Sequence, residues 1–283
     1  MKAKRLVWIV FLAFCPRIGS AQDFQHSYAI SANGQIFIDT IGNIKIQGFK
    51  GEKVEIVAYR KGPDGNVIQI EDHSSGDVIN VRARPRFSPF SPGKEPPGKE
   101  PRSKFPPGGF DGGRFDPGRF EAGRFDPGRF DVGNNSVDFE VRVPKSHDYS
   151  SFLNSFNGNI EIANVSGRIS ARIREGSVDV KDVRGSIRCD AFNGSIRVEL
   201  GSHKDASDMK FSSMNGDIFV KAPGSLDAQV FMSSDAGRLK TDFPIKVQEM
   251  RYGHRLFAQG KLGSGRQKLT ITSISGSVNL IKK

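Results

Sequence analysis

A glycine returns every nine residues in the middle of this chain, at Gly158, Gly167, Gly176, Gly185 and Gly194. Each opens a short alternating stretch, reading GNIEI, GRISA, GSVDV, GSIRC and GSIRV in turn. The same phrase recurs at wider spacing, from Gly216, Gly237 and Gly276. Turn and strand at a fixed short period specify a stacked β architecture, because one such unit cannot bury its apolar side alone. The third and fifth positions are expected inside: Ile160/Ile162, Ile169/Ala171, Val178/Val180, Ile187/Cys189 and Ile196/Val198. The residue between them, Glu161, Ser170, Asp179, Arg188 or Arg197, is expected outside. Nine residues hold one strand of four or five and one bend, so two units, Gly158 to Gly176, make a coil of eighteen. The steps from Gly194 to Gly216 to Gly237 are close to that length and are expected to continue the stack. The predicted fold is all-β, a flattened two-sided β-solenoid with alternate units on the same sheet. Glu161, Asp179 and Arg197 then share one outer column, and Ser170 and Arg188 share the other face. The glycines supply positive φ at the bends, and Asn157 and Asn193 before them suit the same geometry.

Ahead of the repeats the chain also reads as strands. Ile36/Ile38, Ile44/Ile46, Val54/Ile56, Ile68/Ile70 and Ile79/Val81 alternate with polar residues between punctuating glycines. From Pro85 to Gly133 the composition changes to Pro-rich sequence and then to GRFDP-GRFEA-GRFDP-GRFDV. Proline and glycine in every unit break helix and strand alike, so 85–134 is predicted to be disordered. Alternation resumes at Val137, Phe139, Val141 and Val143. The strand entering this segment and the strand leaving it are expected to form an antiparallel pair with a much expanded connection, since loop closure costs grow only slowly with length. The organisation is therefore a leader at 1–21 and one β-solenoid domain at 22–283. Its strands occupy 28–84 and 135–283, around the insertion. No helical periodicity is visible beyond the leader.

The leader has Lys2, Lys4 and Arg5 before an apolar run from Leu6 to Cys15, too short to span a membrane. Gly19 and Ala21 place small residues for cleavage before Gln22. A lipoprotein signal ending at Cys15 is the alternative, but bulky Phe14 stands where such signals carry a small residue. Export follows, to periplasm, outer surface or medium. Removing the leader takes four of the 42 basic residues and none of the 31 acidic ones, leaving 38 against 31 and a net charge of +7. That mild excess favours anionic envelope surfaces. Cys189 is then alone and is expected to be a buried hydrophobe. The only tryptophan, Trp8, lies in the leader.

The ordered combination of an NG-x-I-x-I strand (Asn33 to Ile38), a V-x-V-P strand (Val141 to Pro144) and the repeats is similar to the bacterial putative-adhesin family. Thr241-Asp242-Phe243-Pro244, Gly263-Ser264-Gly265 and Ser275-Gly276-Ser277-Val278 complete the likeness. The resemblance implies a β-solenoid-like fold in exported envelope proteins, some of them tied to envelope-stress systems. It brings no catalytic motif, and the Phe-Arg insertion departs from the family's pattern.

Chemistry is sparse. His26, His73, His147, His203 and His254 are scattered, without metal-ligand spacing, and no nucleophile-elbow motif occurs. No metal or cofactor is expected. Glu71-Asp72-His73 reads as a hairpin turn. Glu161 and Asp179, one coil apart, offer the one carboxylate pair that a carbohydrate-active enzyme would use, with Arg197 beside them. The mixed outer columns argue against a repeated ligand ladder. The candidate contact residues are those of the insertion: Phe110, Arg114, Phe115, Arg119, Phe120, Arg124, Phe125, Arg129 and Phe130. Their alternation of Arg with Asp or Glu is no polybasic nucleic-acid arm and suits many weak aromatic and cation–π contacts. The reading is a non-enzymatic, adhesin-like protein that binds an envelope or surface component, protein or polysaccharide, with self-association a further possibility. An envelope-stress accessory and a carbohydrate-active enzyme are the alternatives.

Overall fold

The computed structural model describes residues 23–63, 67–86, 134–201, 207–249 and 255–283. The leader and the nine Phe and Arg positions of the insertion lie outside these residues. The chain opens with β1 (Phe24–Tyr28), β2 (Gln35–Thr40), β3 (Ile44–Phe49) and β4 (Val54–Lys61). Then come β5 (Ile68–Asp72), β6 (Val78–Pro85), β7 (Ser136–Pro144), β8 (Tyr149–Asn157) and β9 (Ile160–Ala163). The repeats continue as β10 (Gly167–Glu175), β11 (Val178–Lys181), β12 (Ile187–Asn193) and β13 (Ile196–Glu199). After them follow β14 (Asp208–Asn215), β15 (Ile218–Ala222), β16 (Ala228–Ser234) and β17 (Leu239–Thr241). The last strands are β18 (Val247–Glu249), β19 (Leu256–Lys261), β20 (Gln267–Ser273) and β21 (Val278–Lys282). Among the described residues there is no α-helix. Strands begin at Phe24 rather than Tyr28, and β6 runs to buried Pro85, one residue into the segment read as disordered.

These strands make a ten-stranded sheet I, ordered β1-β4-β7-β3-β9-β11-β13-β15-β21-β17, and an eleven-stranded sheet II, ordered β18-β19-β16-β20-β14-β12-β10-β8-β2-β6-β5. Alternate repeat units fall on alternate sheets, as their period requires. The inward pairs stack in register: Ile160, Val178, Ile196 and Ile218 line one side of the core. Ile169, Ile187 and Met209 line the other. Ala171 and Cys189 leave room for the bulk of Phe211 in the same row, and all three are fully buried.

The two sheets differ in width. In sheet I the repeat strands have four residues, whereas β8 and β10 in sheet II have nine. The expectation of four or five residues per unit therefore holds for one sheet only. After Ala163 and Lys181 the chain turns at Asn164 (φ 56°) and Asp182 (φ 48°). After Ala171 and Cys189 it keeps alternating to the next glycine.

Three further expectations are corrected. First, β6 and β7 are not an antiparallel pair. β6 pairs parallel with β2 in sheet II, and β7 pairs parallel with β3 in sheet I. They reproduce the β2-to-β3 step, so the insertion replaces a coil bend. Second, Gly237 does not open the coil after Gly216. β20 and β21 slot between β14/β15 and β16/β17, pairing parallel on both sides. Third, positive φ is the reason for only some of the bend glycines. Gly167, Gly176 and Gly185 have φ +108°, +128° and +98°, as expected, but Gly194, Gly216, Gly237 and Gly276 are not in that region, nor are Asn157 and Asn193. The shared reason is close approach. A methyl group on Gly158, Gly176, Gly194 or Gly216 would collide with the backbone carbonyl of the preceding bend glycine: Gly42, Gly158, Gly176 and Gly194 respectively.

Antiparallel strands close the stack. β4 with β1 covers β7, β5 covers β6, and β19 with β18 covers β16. Tyr28 bridges the sheets at one end by donating to Asp72 Oδ2 at 2.7 Å. Glu71 and Asp72 are the paired end of β5, so the hairpin turn expected at Glu71-Asp72-His73 falls later, at Gly76-Asp77. Such caps protect edges that would otherwise pair between molecules.

Two outcomes test this architecture by thermal denaturation. Gly194→Ala, at a position with ordinary φ, is expected to cost about 3 kcal/mol, or roughly 10 °C in Tm. Gly224→Ala, where nothing lies within 4 Å of the added methyl, stays within about 0.5 kcal/mol. A chain ending at residue 266 loses a coil from inside the stack, and is expected to show no cooperative transition.

Candidate interaction face

The column foreseen on sheet I is present. Glu161 is in register with Asp179, and Asp179 with Arg197. The column extends to Lys45 beside Glu161 and Phe219 beside Arg197. Arg197 Nη1 lies 3.9 Å from Asp179 Oδ1. The carboxylate pair thus has a cationic residue on each flank. Elsewhere on this sheet Arg142 pairs with Glu55 at 3.0 Å and Lys283 with Glu199 at 2.9 Å. Acids and bases are interspersed across it, as on a solvated surface. Among the described residues no three metal-ligating side chains come together.

Sheet II is different in character. Its longer strands carry three or four outward residues each, which the nine-residue units did not reveal. β8 presents Phe152 and Phe156, β10 presents Arg168, Arg172 and Arg174, and β12 presents Arg188, Asp190 and Phe192. β14 adds Lys210 and Met214, and β16 adds Phe231. The Phe37 and Phe152 rings stack face to face, with centroids 4.6 Å apart and planes 7° from parallel. Arg174 lies over the Phe156 ring at 4.6 Å, a cation–π contact. Phe152 and Phe231 are each 37% exposed, so part of each ring reaches solvent.

The charge on this face is incompletely balanced. Asp190 Oδ2 accepts from Arg188 Nε at 2.7 Å and lies 3.9 Å from Arg172 Nε. One carboxylate serves both guanidinium groups. Burial and the neighbouring Arg188 charge push the Lys210 ammonium below its ordinary range. Two polar atoms facing outward are buried without a partner, Asp190 Oδ1 and Ser233 Oγ. Unpaired buried polar atoms are costly and mark places where another group is accommodated.

Ser170 and Arg188 do share a column here, as expected, with Phe152 before them and Lys210 after. The signal for the whole face was available in the halves of β8, β10 and β12 that follow the inward pair. There Phe156, Arg174 and Phe192 hold the outward positions.

A family model described as Toastrack DUF4097 matches residues 129–281, more than half of the chain. The chain belongs to that family. Among solved structures it is similar to a putative cell adhesion protein of Clostridium sporogenes ATCC 15579. The two share 9% identity over 92% of this chain and 99% of that one, with a TM-score of 0.46. A putative adhesin of Bacteroides fragilis NCTC 9343 is similar at 12% identity over 91% and 96%, with a TM-score of 0.33. Among curated proteins none matches.

Cys189 sits beneath Asp190, fully buried, and burial pushes its thiol well above the ordinary range. It is expected to resist a thiol-specific chromophoric reagent in the folded protein and to react stoichiometrically in denaturant. Reaction in native buffer at the denatured rate would show this row of the core to be open.

Proposed function

We propose that this member of the Toastrack DUF4097 family is an exported, non-enzymatic, adhesin-like β-solenoid that mediates contacts at the cell envelope or surface. The observation that carries the reading is the outer face of sheet II, broad and aromatic with a surplus of cations. Export rests on the basic, apolar and small-residue order of the leader. One solenoid domain from 22 to 283 presents the face, and the insertion is a second contact element, through Phe110, Arg114, Phe115, Arg119, Phe120, Arg124, Phe125, Arg129 and Phe130. Evenly repeated weak contacts add through effective concentration rather than through any single strong one. On sheet I, Glu161 and Asp179 lie between Lys45 and Arg197 in an open outer column of the sheet, which supports a surface role.

Co-sedimentation with fractionated envelope from the producing cell tests this. The exported chain is expected to pellet with one fraction, and a chain lacking 88–133 to pellet less. Equal pelleting assigns binding to the sheet faces alone. Failure of both to pellet removes the adhesin-like reading. A Glu161→Gln, Asp179→Asn double variant is expected to pellet as the parent does and to differ from it in no polysaccharide-cleavage assay.

A further inference from the structure

We infer that the partner held by sheet II is a linear acidic polysaccharide, lying along the column that runs from Phe152 through Arg188 and Lys210 to Phe231. This rests on the surface-binding function proposed above and names its ligand class. The column crosses the strands, so its residues follow the inter-strand spacing of about 4.8 Å. Phe152 on β8 and Phe231 on β16 are five strands apart in the sheet order, roughly 24 Å. Phe152 and Phe231 toward its two ends are partly exposed rings, and its middle is Arg188 beside Lys210. A chain of sugar rings finds apolar aromatic surface toward the two ends and cations for its carboxylates between them.

The neighbouring column supplies hydrogen bonding. There Asn154 and Arg172 are exposed and Thr272 is half-buried, in register across the sheet beside Phe152 and Arg188. Sugar hydroxyls can both donate and accept, and so meet an amide, a guanidinium and a threonine hydroxyl equally. Other anionic macromolecules match less well. A nucleic acid carries a charge about every 1.7 Å of duplex, and Asp190 in the middle of the face opposes such density. A bilayer is bound by apolar side chains that enter it, whereas every large apolar side chain on this face is less than 40% exposed.

The test uses the exported chain and polygalacturonate as the probe, with dextran, polyphosphate and phosphatidylglycerol vesicles beside it. The expected result is binding to polygalacturonate that weakens with salt, with little to dextran. Phe152→Ala with Phe231→Ala, and separately Lys210→Gln, each lower the affinity about tenfold. Phe219→Ala, an equally exposed ring on sheet I, leaves it unchanged, and circular dichroism and Tm verify that all variants fold. The inference is overturned if polygalacturonate does not bind, if the sheet II variants bind like the parent, or if Phe219→Ala costs as much. It is overturned equally if only polyphosphate or vesicles bind. Co-sedimentation with envelope separates the two levels. Pelleting without polygalacturonate binding removes the ligand class and keeps the surface function, whereas loss of both removes both.

Discussion

The fold depends on one close contact repeated along an edge. At the bends from sheet II to sheet I a glycine lies against a backbone carbonyl one coil away: Gly42 against that of Val137, and Gly158, Gly176, Gly194, Gly216, Gly276 and Gly237 each against that of the glycine before it in the stack. No side chain fits between these backbones. Carbonyls brought inside in this way need donors, and small polar residues next to the glycines provide them at five bends, whereas the same row holds Ile173 and Ala191 at β10 and β12. Ser155 donates to the Gly42 carbonyl at 2.7 Å, Ser213 to Gly194 at 3.0 Å, Ser273 to Gly216 at 3.1 Å and Ser234 to Gly276 at 2.8 Å. Thr40 does the same for Val137 at 2.6 Å. Serine in an otherwise aliphatic interior is thus a consequence of glycine at the edge.

With one edge held so tightly, the opposite edge absorbs variation. There the turns carry Asn164 and Asp182 in left-handed backbone, and their length varies from one coil to the next. Because each repeat strand of sheet I stops early at such a turn, that part of sheet I stays narrow, while sheet II runs uninterrupted between turns. The width of the interaction face therefore comes from where the turns fall. A broad outer face on which Arg172 and Arg188 share one carboxylate is the product, and narrow sheet I neutralises its charges in pairs instead.

Local rules made much of this legible and long-range ones hid the rest. The inward pairs from Ile160/Ile162 to Ile196/Val198 followed from alternation alone, and so did the Glu161–Asp179–Arg197 column. The aromatic and cationic face was partly legible. Arg172-Ile173-Arg174 and Asp190-Ala191-Phe192 alternate as plainly as the pairs before them, but a uniform unit of one strand and one bend obscured their continuation. The place of β20 and β21 was beyond such reading. Nothing in Gly276-Ser277-Val278 says that it packs on Gly216 in preference to Gly237, because each presents the same backbone. That choice goes with β19, which pairs antiparallel with β16 and occupies its outer side, leaving the inner side to β20. Gly194 and Gly216 show a related limit, since a glycine needed for close approach looks the same in sequence as one needed for positive φ.

The glycine edge also explains why the Phe-Arg insertion can stand where it does. A bend inside the stack has a neighbour above and below in backbone contact, and residues added there would force the coils apart. The β6-to-β7 bend is the last of the parallel series. On one side Gly42 packs against the Val137 carbonyl, and on the other the partners are antiparallel β4 and β5, which make no such bend. It is the one bend at that end of the edge with a free side. Lengthening it leaves every glycine contact in place, and the cost of closing a longer connection rises only with the logarithm of its length. The segment between β6 and β7 is therefore anchored at both ends by paired strands on opposite sheets, β6 on the sheet that carries the interaction face.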